Sequence, residues 1–428
     1  MSDTPGLAEL GNPSHIHPFT NFQWYLTAAR NSVYFAAFSR ERISPDEFRV
    51  FVGQLLALAP QLNWRNDDHG QRHIDLSPVS PDDVGSHQEV DSFDGFPDRV
   101  LGPNSDVFAD PALPSFRAEC YALRTGETVE GNRSFVVMRA SHALMEGVDS
   151  ARVLRGLPAG HPPPERPQKA PLARAAAMAL GLVFVPLNYA ITAALDRGRK
   201  DWAVGTITLS RADLKRAATE LGIQQRSLIY GLIMRGFYDP AGRTTKNRTI
   251  GYSNLPPRRT DGDDAYVRLQ MRTTRIRHRR SFSQYVRQLD RQLASAGRGA
   301  SWTQQQNDAF FGIHRRIARW LPFLYRRRFF GYVPYDFLLS LVPPHVPGAG
   351  LFEQLGFNDV YCGSHAAGVN CCVIVPQRDR VSLNIYCPAR DLARLPDIID
   401  LAGTAGVSTM PSAATLRPAM MARSASEA

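Results

Sequence analysis

Lysine is almost missing from this 428-residue chain: it occurs only at positions 169, 200, 215 and 246, so arginine carries nearly all the positive charge. Cysteine is scarce too. There are five (120, 362, 371, 372 and 387), an odd number with no Cys-x-x-Cys spacing. That excludes a zinc ribbon or a thioredoxin-like motif and does not suit a disulfide framework. A reducing, cytoplasmic compartment fits. The opening segment MSDTPGLAELGNPSHIHP lacks the basic-then-apolar pattern of a secretory leader. Long apolar runs are also few. One stretch, 175–195, holds 21 residues without a charge, but Pro186 and Asn188 interrupt it. A helix of that length is enough to cross a bilayer. The proline and asparagine leave an interfacial helix and a buried interlobe helix open as well.

What is present is globular. Hydrophobic residues make up 43% and charged residues 21%, the balance of a chain with a large core. The length suggests two or three domain-sized units. The net charge of +10 hides an asymmetry, because residues 1–130 carry nine Lys+Arg against nineteen Asp+Glu. The excess of arginine over lysine is what a GC-rich genome encodes. Its clustering needs another reason. No recognition module accompanies the charge, so nucleic acid is not an expected partner.

Local signals divide the chain. Residues 18–30 read as an aromatic-rich helix and 32–38 as a strand. Ser44-Pro-Asp-Glu47 is a capping box with proline at the first helical position, followed by Phe48, Phe51, Val52, Leu55 and Leu56 at helical spacing. Residues 66–112 are acidic and punctuated by proline and glycine, which predicts irregular structure. Strands are expected over 115–123 and 135–140. Six prolines within 158–171 mark a linker. The second half restarts with a strand at 203–209, a helix capped by Ser210 and ended by Gly222, and a helix over 227–238. Strands at 266–271, 337–342, 369–375 and 381–386 and helices from 282 and over 391–402 follow. The segment after Gly403 is small and polar and predicts a disordered tail.

The run Phe135-Val-Val-Met-Arg-Ala-Ser-His-Ala-Leu-Met-Glu-Gly-Val-Asp149 carries the chemistry. Its apolar part reads as a buried strand that ends on Ser141-His142, and residues 147–157 read as the start of a helix. A histidine at a strand exit reaches into a cleft instead of a core. The pattern His-x-x-x-Glu-Gly resembles the HHxxxDG motif of the acyltransferases that include chloramphenicol acetyltransferase, peptide-synthetase condensation domains and bacterial wax ester synthase/diacylglycerol acyltransferases. Ala59-Pro-Gln-Leu-Asn-Trp-Arg65 stands where those enzymes have an "hPxLR" helix end, and Leu113-Pro-Ser-Phe-Arg117 where they have a "PLFR"-like strand. Further on, Ser253-Asn-Leu-Pro-Pro-Arg-Arg259, Leu339-Ser-Leu-Val-Pro-Pro344 and Val381-Ser-Leu-Asn-Ile-Tyr386 resemble the "PVslR", "SNVPGP" and late-strand segments. The Asn-Asp pair of the wax ester synthases has no counterpart.

The resemblance implies an α/β (α+β) fold of two chloramphenicol acetyltransferase-like lobes with mixed sheets and an active-site tunnel between them. The lobes would span 15–157 and 201–403, with 158–200 as a Pro-rich linker plus hydrophobic segment and 404–428 as a tail. It also implies acyl transfer from a coenzyme A or carrier thioester, used as co-substrate with no bound cofactor, to a lipid-like alcohol or amine. A neutral histidine can take the proton from the nucleophile and return it to the departing thiol. His142 is the candidate. Ser141 stands where relatives often have a second histidine. Adjacent residues at a strand end face opposite ways, so Ser141 is a poor nucleophile partner for His142. Glu146 replaces the motif aspartate and would pair with Arg258 or Arg259, while Gly147 permits the close turn. Ser253 and Asn254 are the candidate oxyanion donors. Arg275, Arg277 and Arg279 would share a strand face and could meet coenzyme A phosphates or a carrier phosphopantetheine. The segment 315–330, RRIARWLPFLYRRRFF, mixes arginine with aromatics in a way that suits an anionic membrane surface. A peripheral or anchored protein would follow.

Other readings compete. Ser141 and Glu146 could mark a catalytically inactive, condensation-domain-like binding protein, and the chain could be a stand-alone peptide-type condensation enzyme. Asp67, Asp68, His69, His73 and Asp75 could ligate a metal, although a loop setting argues for none. Cys371 and Cys372 near His365 could form a thiol site, although their apolar neighbours argue for a buried strand.

Overall fold

The computed structural model describes residues 16–18, 32–66, 72–93, 113–126, 131–145, 202–241, 247–254, 270–277, 281–295, 336–342, 351–365 and 370–411, with a few isolated positions between them. The first half opens with β1 (Ile16–Pro18) and β2 (Ser32–Ser39), the latter buried along its whole length. Helix α1 (Pro45–Leu58) follows, and its start is chemically specified. The Ser44 hydroxyl accepts from the Glu47 N–H, and the Glu47 carboxylate accepts from the Ser44 N–H at 2.8 Å. The five apolar residues at helical spacing are all buried. A short turn of tighter helix, Pro60–Asn63, then leads into β3 (Trp64–Asn66).

The acidic stretch after residue 66 is more regular than its composition suggests. It contains β4 (Arg72–Asp75), a one-turn helix α2 (Pro81–Val84) capped by Ser80, and β5 (Gly85–Val90). β5 lies parallel to β6 (Phe116–Leu123) at a sheet edge. Its alternately exposed positions leave the polar residues in solvent, which is why apolar periodicity did not mark it. β7 (Ser134–Ser141) runs between β6 and β2, antiparallel to both.

The second half holds β8 (Trp202–Ser210), α3 (Arg211–Leu221), α4 (Gln225–Tyr238), β9 (Asn247–Asn254), β10 (Gln270–Arg277) and α5 (Phe282–Ser295). It continues through β11 (Phe337–Leu341), α6 (Leu351–Gln354), β12 (Phe357–His365), β13 (Asn370–Pro376), β14 (Arg380–Pro388) and α7 (Leu395–Thr404). Six of these strands form one mixed sheet in the order β10-β9-β11-β13-β14-β8. β12 leaves its neighbours and joins the other sheet, whose order is β12-β2-β7-β6-β5. Chain order and sheet membership therefore separate at β12. A third, small sheet of β1, β4 and β3 lies beside them.

Each large sheet has a core. One face of the six-stranded sheet, including Ile207, Leu383 and Ile385, packs under α3, α4, α5 and α7. A second core joins α1 to β2 and β7 through Phe51, Leu55, Phe35 and Met138, and includes Val373 and Tyr386 of the six-stranded sheet. β12, the edge strand of the five-stranded sheet, also packs against β13 and β14 of the six-stranded one. Its Val360 carbonyl accepts from the Gln377 side-chain amide at 2.9 Å, and the same amide donates to Ser382 at 3.0 Å.

The chain beyond Gly403 is ordered further than its polarity predicts. Val407 is buried, Thr409 pairs with Leu209 of β8, and Asp213 accepts from the Ser408 N–H and hydroxyl. A free strand edge and an acidic residue at the start of α3 hold this segment. Among the described residues no helix is long and apolar enough to cross a membrane; the 175–195 segment, residues 159–171 of the expected linker and residues 19–30 of the expected first helix lie outside them, whereas Pro18 belongs to β1.

Candidate active site

β7 delivers His142. The strand is fully buried, with Val136, Met138 and Ala140 in the core shared with α1 and Phe135 and Val137 in a smaller cluster on the opposite face. Its end is tied down three ways. The Ser141 N–H donates to the Ser115 carbonyl at 2.9 Å, the Leu144 N–H donates to the Ser141 carbonyl at 2.9 Å, and the Ser141 hydroxyl accepts from the Ala143 N–H at 3.3 Å. Ser141 is wholly buried and shapes the turn.

His142 is the first residue beyond the strand. The side chain is half-buried, and its Nδ1 is enclosed with no hydrogen-bond partner. Burial lowers its pKa below the usual 6.5, because a charge is disfavoured away from water; its own backbone group pulls weakly the other way. The ring is therefore neutral at pH 7, the form a general base needs.

Two features beside it were not marked by the sequence. Arg139, three residues upstream, is buried and pairs with Glu119 of β6 at 2.7 Å, and the Tyr121 hydroxyl donates to the same carboxylate at 2.9 Å. This ion pair braces β7 against β6 next to the turn. An arginine in an otherwise apolar strand was the available signal. The second is an apolar cavity of ≈ 30 Å³ bounded by Tyr34, Leu55, Leu62, Met138, Met145 and Val153. Met145 lies three residues past His142, so the cavity adjoins the motif turn.

The other expected residues are dispersed. Glu146, Gly147, Arg258, Arg259 and Arg279 lie outside the described residues. Ser253 and Asn254 close one end of the β9–β10 pair, opposite Met271 and Gln270, while Arg275 and Arg277 face Thr249 and Asn247 at the other end. The fold does not bring these two groups together. Of the metal candidates, Asp67, Asp68 and His69 are outside the described residues; His73 is buried beside the Trp64 ring, and Asp75 accepts from the N–H and hydroxyl of Ser77. Among the described residues no cluster of His, Cys, Asp and Glu could hold a metal ion. Cys371 and Cys372 are buried on β13, one facing each core, and burial raises both thiols, Cys371 to about 12. They are unionised, which removes them as nucleophiles.

Comparison with solved structures identifies the fold. The trichothecene 15-O-acetyltransferase of Fusarium sporotrichioides matches with a TM-score of 0.62 at 12% identity, over 94% of this chain and 100% of that one. The first condensation domain of the CDA synthetase matches with a TM-score of 0.56 at 12% identity, over 94% and 100%. The nonribosomal peptide synthetase FmoA3 matches with a TM-score of 0.56 at 16% identity; 94% of this chain is covered, but it spans only 43% of that protein's length. The chain thus has the two-lobed fold with mixed sheets that condensation domains share with coenzyme A-dependent acyltransferases. No family model and no curated protein matches it in sequence.

Proposed function

We propose that this protein transfers an acyl group from a coenzyme A or carrier thioester to a hydroxyl or amine, with His142 as general base. The observation that carries the reading is the neutral imidazole of His142, set just past the end of a buried central strand of an acyltransferase-type fold. Its enclosed Nδ1 leaves Nε2 as the nitrogen able to meet a substrate. Nε2 takes the proton of the attacking hydroxyl or amine as the new C–O or C–N bond forms. It gives that proton to the thiolate as the C–S bond breaks, so no covalent acyl-enzyme is required. A lipid-like acceptor and an anionic membrane surface belong to the same proposal. They are supported by Trp320, 85% exposed, with the exposed Arg316 and Arg319 close by in sequence.

Thiol release from a panel of acyl-CoAs, with alcohols or amines as acceptors, tests the reading. His142→Ala should lower turnover by about 10²–10⁴-fold and leave the unfolding midpoint unchanged. Near-normal turnover in that variant would sink the mechanism. Because the imidazole pKa is depressed, activity should hold at neutral pH and fall only below 6.5, as the base becomes protonated. The match to a condensation domain favours a second reading, peptide-type condensation. It predicts turnover with carrier-bound aminoacyl thioesters and none with acyl-CoAs.

A further inference from the structure

We propose that the outer edge of β8 is a docking site for the chain directly after Pro411, residues 412–416, laid antiparallel along it as a further strand. β8 is the last strand of the six-stranded sheet, with β14 on its inner side. At one end of its outer side, pairing has already begun. The Ser210 N–H donates to the Ser408 carbonyl, and the Met410 N–H donates to the Thr208 carbonyl, both at 2.9 Å. Leu209 and Thr409 stand opposite each other between these two bonds. Asp213 of α3 fixes the entry by accepting from the Ser408 N–H and hydroxyl. The antiparallel direction set here carries the chain back along β8 toward Trp202.

The register extends by simple alternation, because bonded and non-bonded pairs take turns in an antiparallel ladder. The two bonds make Ser210–Ser408 and Thr208–Met410 bonded pairs, and Leu209–Thr409 a non-bonded one. Pro411 then comes opposite Ile207 at a non-bonded position, where a strand loses nothing by lacking an N–H. Ser412 falls opposite Thr206, Ala414 opposite Val204, and Leu416 opposite Trp202, the first residue of β8. The next proline, Pro418, stands two residues past that end. The stretch between the two prolines thus spans the rest of the edge. Ser, Ala, Ala, Thr and Leu at 412–416 carry no charge.

The edge needs such a partner. Val204, Thr206, Ile207 and Thr208 are each no more than 8% exposed, although β8 ends the sheet. Buried backbone N–H and C=O groups are almost always paired. By the same alternation Val204 and Thr206 turn theirs outward, and among the described residues nothing pairs with them. An edge of this kind is a template for another strand. The chain's own next segment is delivered to it in register by the pairing at 408–410.

Amide hydrogen exchange, read residue by residue, tests the site on the full chain and on a chain ended at Pro411, at a dilution where both are monomeric. The Val204 and Thr206 amides should exchange about tenfold faster in the shortened chain, the loss of one hydrogen bond each. Amides of α4 should keep their rates. Two full-length variants make the test independent of shortening. Ala414→Pro removes a donor at a bonded position and should speed exchange at Val204. Ala413→Pro, at a non-bonded position like that of Pro411, should leave it unchanged. Equal exchange at Val204 and Thr206 in the full and shortened chains would overturn the proposal, since the edge would then be open or held by a different segment. Equal effects of the two prolines would overturn it as well, because a ladder in this register distinguishes them.

Discussion

The two large sheets are assembled from the chain in different ways. The six-stranded sheet takes all its strands from residues 202–388 and is backed on one face by four helices from residues 211–404. The five-stranded sheet takes four strands from residues 32–141 and its last from β12, more than two hundred residues later. The first arrangement closes locally and supplies stability. The second closes only when the distant strand docks at its edge, and its middle strand, β7, leads to His142. In this molecule the candidate chemistry sits on the sheet that depends on both halves of the chain. Closing that long loop costs conformational entropy, so the contacts that hold β12 bear on function in a way that the helix-backed core does not.

Two glycines separate these roles most sharply. In the helix-backed core, a Cβ on Gly236 of α4 would lie 2.7 Å from the Ile398 Cα of α7. Backbone must move to admit it, so Gly236→Ala should cost about 3 kcal/mol, the upper end of overpacking penalties. Denaturant titration measures it, and the KM values of the folded enzyme should stay as they were. At the β12 joint, a Cβ on Gly363 would fall 2.1 Å from Tyr34, whose ring lies across the glycine. Tyr34 is 3% exposed and bounds the cavity next to the motif turn. Gly363→Ala should therefore cost about 2 kcal/mol and lower turnover as well. Adding Tyr34→Leu should recover much of the stability, because the two residues occupy one space. Full turnover in Gly363→Ala would break the comparison.

A smaller effect is expected where β12 is pinned to the six-stranded sheet. The Gln377 amide is buried and serves both the Val360 carbonyl and Ser382. Gln377→Ala leaves the carbonyl unsatisfied, at a cost of about 1–3 kcal/mol. Hydrogen exchange at β12 amides should quicken more than exchange in α4, whereas uniform acceleration would show that the two sheets unfold as one unit.

What the sequence reveals follows the same division. Features decided within a few residues were legible: the Ser44 capping box, the Ser210 cap, and Gly222, whose φ of +64° ends α3 in the left-handed conformation. The motif strand and its terminal histidine were legible because Phe135–Ala140 is apolar except for Arg139 and stops abruptly. β12 was not. Phe357-Asn-Asp-Val-Tyr-Cys-Gly-Ser-His365 mixes four polar residues, a glycine and aromatics, and its partner lies in another part of the chain. β4 and β5 were hidden by the acidic composition around them, β5 at a sheet edge and β4 in the middle of the small sheet. Gly363 looks like a turn residue in sequence; only the Tyr34 ring above it explains its place in a strand. The oxyanion donors assigned to Ser253 and Asn254 rested on a resemblance without a spatial constraint, and β9 carries them away from Arg275 and Arg277.

The smallest change tests the local side of the comparison. Ser44 satisfies an otherwise unpaired N–H at the start of α1, and Glu47 returns the bond. The Glu47 carboxyl is held below its usual range by those bonds from Ser44. Ser44→Ala removes the hydroxyl and should cost about 1 kcal/mol, the usual value for a lost cap. Because α1 packs Phe51 and Leu55 against the sheet that carries β7, the loss should appear as a lower unfolding midpoint. Turnover by the folded fraction should not change, since the cap lies at the end of α1 remote from Leu55 and the cavity. Gly in place of Ser44 should recover most of the loss, because glycine is tolerated at this position far better than alanine. If Ser44→Ala instead depressed turnover as strongly as Gly363→Ala, local helix stability and the long-range closure of the five-stranded sheet would have to be treated as a single cooperative unit.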